Sequence, residues 1–298
     1  MVSAALKNAM ASRNVKKSRT EHSVESKKAQ QSQKPQKAKS SHTTNDLKEI
    51  ALSNLKRDVG RGSIGSGTFG ACYLPKYRGI RVVFKEFKAR EHTDMEKLRK
   101  EAAYEARVIQ SLGDHPGIPL LFGVILEQPT VGIVLQFHGD DEGSMTVYKA
   151  AKEEIFKEIE VWNQVLCEVA DALEHVHRCG YIHNDLKSNN VVLETREGRP
   201  SPVLIDFGKS VLATRAKTPA AKLAHIREQY KNSYIAPELV DGKGKPSVTT
   251  DVYSLAFLIK CVYKFLKLAV NATVRDAIEN AAESRPSIGA LKESLSPA

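Results

Sequence analysis

The chain has 298 residues, enough for one large domain or two lobes with cores of their own, and its 41% hydrophobic content is ordinary for a globular protein. Its four cysteines, Cys72, Cys167, Cys179 and Cys261, show no paired spacing, which argues against a disulfide framework or a zinc site and fits a reducing compartment. The most apolar stretch, 252–270, is interrupted by Lys260, Lys264 and Lys267, so a buried helix is expected there and not a membrane span.

The net charge of +10 is uneven: residues 1–45 hold ten Lys and Arg against two acids, and no Phe, Trp or Tyr. Such a segment cannot bury enough apolar surface to offset its ordering entropy, and it reads as a disordered basic tail. The clusters Lys16-Lys17 with Arg19 and Lys27-Lys28 could serve nuclear import or a weak contact with nucleic acid. No aromatic residues interleave for base stacking, so a solvated tail is the better reading. The expected setting is intracellular and cytoplasmic, with the nucleus open through those clusters. Leu47, Ile50, Ala51 and Leu55 have helical spacing and predict a short helix over 46–58.

A glycine-rich run, 60–73, fits G-x-G-x-x-G in two registers, 60/62/65 and 65/67/70. The second, Gly65-Ser66-Gly67-Thr68-Phe69-Gly70, is followed by a strand-like run; glycines there let backbone approach phosphate oxygens with no Cβ in the way. Residues 80–87 read as a strand containing Val83 and Lys85. A charged helix over 93–112 carries Glu101 and Glu105 one turn apart on one face. Two strands are expected at 118–127 and 131–137. A helix over 153–179, with apolar residues at 155, 159, 162, 166, 169, 173 and 176, is stopped by Gly180.

That helix delivers the chain into Tyr181-Ile182-His183-Asn184-Asp185-Leu186-Lys187-Ser188-Asn189-Asn190, then Val191-Val192-Leu193. A second short strand runs into Val203-Leu204-Ile205-Asp206-Phe207-Gly208. Asp185, Asn190 and Asp206 bring three oxygen-bearing side chains to loops beside the two strands. Such donors suit a hard cation, magnesium above all, which is usually held together with substrate phosphates.

These residues resemble the protein-kinase family: His183, Asp185, Leu186 and Asn190 match its catalytic loop, and Asp206-Phe207-Gly208 its magnesium motif. Phe69 before the last glycine, Ala236-Pro237-Glu238, Asp251 and the late Arg285 fit the same pattern in the same order, over about residues 60–290. The resemblance implies an α+β, two-lobed kinase-like fold. A small lobe of mostly antiparallel sheet plus one helix would span about 58–137, and a larger, mostly helical lobe about 140–298, within a folded unit of 46–298.

It further implies ATP and magnesium as cofactors and a protein hydroxyl, most simply Ser/Thr, as acceptor. The loop Gly65, Ser66, Gly67, Thr68, Phe69 and Gly70 would cover the phosphates, with Cys72 and Val83 as adenine roof. Leu135 would be the gatekeeper, and Gln136 and His138 would belong to the hinge. Lys85 would anchor α/β-phosphates, paired with Glu105, or with Glu101 as fallback. Asn190 and Asp206 would hold magnesium, Asp185 would take the acceptor proton, and Lys187 would neutralise the transferring phosphate.

Four departures stand out. Asn184 replaces the family's usual Arg, Cys72 its Val and Val83 its Ala, and the chain after Leu268 is short. Cys72, Val83 and the short end keep a pseudokinase scaffold in view, and the loop from His183 to Asn190 keeps a small-molecule phosphotransferase. The partner expected is a protein substrate, with no membrane; the oligomeric state is left open.

Overall fold

The computed structural model describes residues 47–56, 62–67, 70–88, 94–127, 129–140, 143–222, 229–230 and 233–296. Strands β1 (Leu55–Lys56), β2 (Gly65–Gly67), β3 (Gly70–Tyr73), β4 (Lys76–Tyr77) and β5 (Ile80–Phe87) come first. Helix α1 (Met95–Leu112), β6 (Leu121–Ile125) and β7 (Val131–Gln136) complete the small lobe. The sheet is ordered β1-β4-β5-β3-β2, and β7 pairs with both β5 and β6, all antiparallel.

Helix α1 begins where the Asp94 side chain accepts from the Glu96 N–H, and it stops at Gly113, whose φ of 67° few other residues adopt at low strain. Leu98, Ala102, Ala106 and Ile109 recur at turn spacing and are buried under the sheet with Ile133. Each buried Leu or Ile contributes about 1.5–3 kcal/mol.

Over the described part of the predicted helix 46–58, residues 47–56, there is no α-helix. Residues 47–50 run extended, with Glu49 bridging Val124 in parallel; the Ile50 N–H donates to Val124 O, and the Val124 N–H donates to Lys48 O. A 3-10 turn, Leu52–Asn54, leads into β1, which pairs with β4. Ile50 and Leu55 enter a second core with Tyr77, Val82, Phe84, Ile125 and Val134. Gly123 is needed at this junction, since a Cβ there would lie 2.4 Å from Lys48 O.

The larger lobe holds β8 (Met145–Thr146), α2 (Val147–Lys152), α3 (Ile159–Arg178), β9 (Tyr181–Ile182), β10 (Val191–Arg196), β11 (Arg199–Leu204) and β12 (Val211–Leu212). Then come α4 (Pro237–Val240), α5 (Val248–Phe265), α6 (Ala272–Glu279) and α7 (Ile288–Leu295). Helix α3 starts at Ile159, six residues later than its apolar pattern predicts. The cause is Phe156: its ring packs edge-on to Trp162 and its carbonyl accepts the Trp162 indole N–H at 3.0 Å, so residues 153–158 are used as a turn. From Trp162 to Val176 the inner face of α3 is fully buried.

Helix α5 opens with a capping box between Ser247 and Thr250 and is buried on most sides. Between α5 and Arg285 the chain has room for α6 and a 3-10 turn. The fold is thus two-lobed, an antiparallel sheet with one helix over a helical lobe. No helix among the described residues is long and apolar enough to cross a membrane.

Candidate active site

A cleft of about 530 Å³ lies between the lobes. On its upper side, β5 presents Lys85 and α1 presents Glu105, which is almost wholly buried. Lys85 Nζ lies 2.7 and 2.8 Å from the two Glu105 carboxylate oxygens and 2.7 Å from Asp206 Oδ1. Burial alone would lower the Lys85 pKa; the two carboxylates outweigh it and hold the ammonium above its ordinary value, so it stays charged. Glu101 stands on the partly exposed side of α1 and takes no part in these contacts.

Asp206 follows β11 in left-handed backbone, φ 66°, ψ 71°. Phe207 is fully buried with its ring 4.9 Å from that of His183. Gly208 lets α1 come close: a Cβ there would sit 3.0 Å from Glu105 Oε2.

The facing loop is held from below by Asp251 on α5. Its buried carboxylate accepts from the N–H of His183 (2.8 Å) and of Asn184 (2.9 Å), and lies 2.8 Å from His177 Nε2. Asn184 has φ 61°, a conformation asparagine tolerates better than most residues, and its amide donates to Lys209 O at 3.0 Å. Burial lowers the His183 pKa, and its Nδ1 accepts the Asp185 N–H, so the ring is neutral.

Asp185 is 2% exposed. Its Oδ1 accepts from Tyr234 Oη (2.8 Å) and Lys209 Nζ (2.9 Å); its Oδ2 accepts from Lys187 Nζ (3.1 Å) and Asn190 Nδ2 (3.2 Å). Burial pushes its pKa up, but the bonds from Lys209 and Tyr234 and the charges of Lys209 and Lys187 outweigh it, and the carboxyl sits below its ordinary value. The Asn190 amide nitrogen is committed to Asp185, which leaves its side-chain oxygen for a cation. Among the described residues no three His, Cys, Asp or Glu side chains gather as a metal cluster. Magnesium fits that sparse set, since it is usually held by one or two carboxylates with water and substrate phosphates.

Gly65, Gly70, Cys72, Val83, Leu135, Gln136 and His138 all line the cleft, as do Lys187 and Asn190. Thr68 and Phe69 lie outside the described residues, as does the basic tail; Ser66 and Gly67 are described as backbone of β2. The His138 side chain is turned toward the large lobe, with Nδ1 2.7 Å from Glu194 Oε2, while Ser144 Oγ donates to its carbonyl. Further down, Arg285 clasps Glu238 through two bonds of 2.6 and 2.9 Å. Lys209 and Tyr234 are the site residues that sequence reasoning missed. Tyr234 lies two residues before Ala236-Pro237-Glu238 and Lys209 directly follows Asp206-Phe207-Gly208, but nothing in either spacing says that both end on Asp185.

Sheet, helix and cleft define a two-lobed class with a lysine–glutamate pair above and an Asp-x-x-x-x-Asn loop below. The chain belongs to the protein kinase family: a profile described as "Protein kinase domain" matches residues 59–291. It is 31% identical over 207 residues to an Aurora kinase of Schizosaccharomyces pombe, covering 68% of this chain and 52% of the relative. The Aurora kinase of Dictyostelium discoideum is 30% identical over 211 residues, with 68% and 48% covered. The serine/threonine/tyrosine-protein kinase HT1 of Arabidopsis thaliana is 26% identical over 218 residues, with 72% and 50% covered. The chain spans about half the length of these relatives.

Proposed function

We propose that this chain is a protein serine/threonine kinase that transfers the γ-phosphoryl group of ATP, with magnesium, to a protein hydroxyl. The observation that carries this reading is Lys85 Nζ held within 2.8 Å of both Glu105 and Asp206, opposite a loop bearing Asp185 and Asn190. Phosphoryl transfer needs positioning and charge stabilisation more than covalent chemistry. Lys85, steadied by Glu105, presents a fixed cation to the α/β-phosphates. The Gly65–Gly70 hairpin covers the phosphates, and Asn190 and Asp206 hold the metal. Bound magnesium supplies neutralisation of developing phosphate charge. Asp185 orients the acceptor hydroxyl and takes its proton, a role worth about 10²–10⁴ in rate. Lys187 faces the transferring group. The printed name of HT1, a serine/threonine/tyrosine-protein kinase, supports serine/threonine as an acceptor class.

A catalytically silent scaffold is the second reading. It is supported by Val83 in the adenine roof and by the four bonds the Asp185 carboxylate already makes. Incubating the purified chain with ATP, magnesium and a generic basic protein, beside Asp206→Asn, separates the two. Phosphate incorporation that disappears in the variant is expected. Equal incorporation by both would remove the enzyme reading.

A further inference from the structure

Two donors on Asp185 have no part in the transfer to a protein substrate. One of them is a hydroxyl. Tyr234 Oη lies 2.8 Å from Asp185 Oδ1 and receives a bond of 3.4 Å from Lys187 Nζ, whose ammonium also stands 5.1 Å from the centre of the Tyr234 ring. The phenol therefore sits between Asp185, the base that the proposed function gives to an acceptor hydroxyl, and Lys187, the cation it places at the transferring group. Its backbone is fixed there: Ser254 Oγ on α5 donates to Tyr234 O at 2.8 Å, and α4 begins three residues on.

We propose that Tyr234 is a phosphoryl acceptor of its own chain, a modification site filled in cis at this cleft. The inference rests on the kinase reading above. Burial and the neighbouring Asp185 charge raise the Tyr234 pKa, so the phenol keeps its proton and needs a base to react; the base it already faces is Asp185. In the step, Tyr234 Oη forms a bond to the γ-phosphorus of ATP and the bond from that phosphorus to the β,γ-bridging oxygen breaks. The phenolic proton passes to Asp185 Oδ1, and ADP leaves. No docking surface is required, because the acceptor is tethered. The product places a phosphate dianion beside Lys187 and Lys209, where charge-assisted bonds hold it, and it removes the donor that occupied Asp185.

The test is made on the full chain with magnesium and ATP, in the presence of a generic basic protein. Phosphorylated positions are mapped by peptide mass spectrometry across a wide dilution series of the enzyme. Phosphate on Tyr234 at a first-order rate independent of enzyme concentration is expected, with none in Asp185→Asn. Phosphate on the basic protein with Tyr234 unmodified overturns the proposal and leaves the kinase reading standing. A Tyr234 rate that rises with enzyme concentration overturns the cis assignment. No phosphate on either acceptor overturns both readings. Without nucleotide, tyrosine labelled at the ring carbon bearing oxygen gives a second measurement by NMR. The Tyr234 signal should stay unmoved through the ordinary tyrosine range, and its titration should move to lower pH in Asp185→Asn, where burial acts without the Asp185 charge. Titration of the unaltered chain within that range shows the contact is absent and overturns the proposal.

Discussion

At the scale of single residues, the site depends on a few short contacts. Glu105→Gln removes the Glu105 charge from Lys85 while its ion pair with Asp206 stays in place. Since a misplacement of an ångström can cost about 100-fold in rate, kcat should fall by that order. The folded state should survive, and the loss is read from initial rates beside a far-UV spectrum. Asp185 gives a pH prediction. Its folded pKa lies below the ordinary 3.8, so its ionised form is favoured by folding. That stability is present above 3.8 and lost as pH falls through the lower, folded value. The difference in melting temperature between the unaltered chain and Asp185→Asn should therefore hold at neutral pH and shrink as pH drops below 3.8. A difference that grows on acidification would contradict the assignment. Lys85 and Glu105 were legible because each lies in a patterned strand or helix, whereas Lys209 and Tyr234 reach Asp185 from 24 and 49 residues away, a convergence no local pattern encodes.

At the scale of elements, the segment after Asp206-Phe207-Gly208 is tied down by neutral bonds beside the Lys209–Asp185 ion pair. Asn184 Nδ2 donates to Lys209 O, Ser210 Oγ to His183 O, and Tyr104 Oη on α1 to Ser210 O at 2.7 Å. A phosphate bound by arginine is one way to order such a loop; here the contacts form without one, and Ser210 is buried. Thr214→Ala and Thr218→Ala should leave activity on the basic protein within a factor of two or so, as neither residue touches the cleft. A large loss in either, restored by an acidic substitution, would contradict this. Helices with a strong apolar face were read correctly from spacing, α1 to within two residues of its start. The segment 46–58 was misread because Leu47, Ile50, Ala51 and Leu55 satisfy helical spacing by chance. What decides its structure is the edge of β6 and the pocket under Tyr77 and Phe84, and tertiary context of that kind overrides a short local pattern. The late start of α3 has the same origin, in Phe156 folding under Trp162.

At the scale of the whole molecule, both lobes frame one cleft, and their order along the chain could be read before any contact was known. The roof of the cleft carries two of the four departures from the family pattern, Cys72 and Val83. Val83 lines it beside Cys72 and Leu135, and on the proposed reading its side chain would crowd the place an adenine takes. Val83→Ala should tighten nucleotide binding severalfold, measured by calorimetry with an ATP analogue and magnesium; no change would sink this account of the roof. The strap ahead of β1 has another consequence. One end, Lys48 and Ile50, is hydrogen-bonded to Val124 in β6, while the other, Leu55, pairs with Tyr77 in β4. Two separate parts of one sheet are thereby made to open as a unit. Hydrogen–deuterium exchange should show the amides of Ile50 and Val124 slowing and quickening together. A chain begun at residue 59, where the family match starts, should lose that shared protection at Val124 and unfold at a lower temperature.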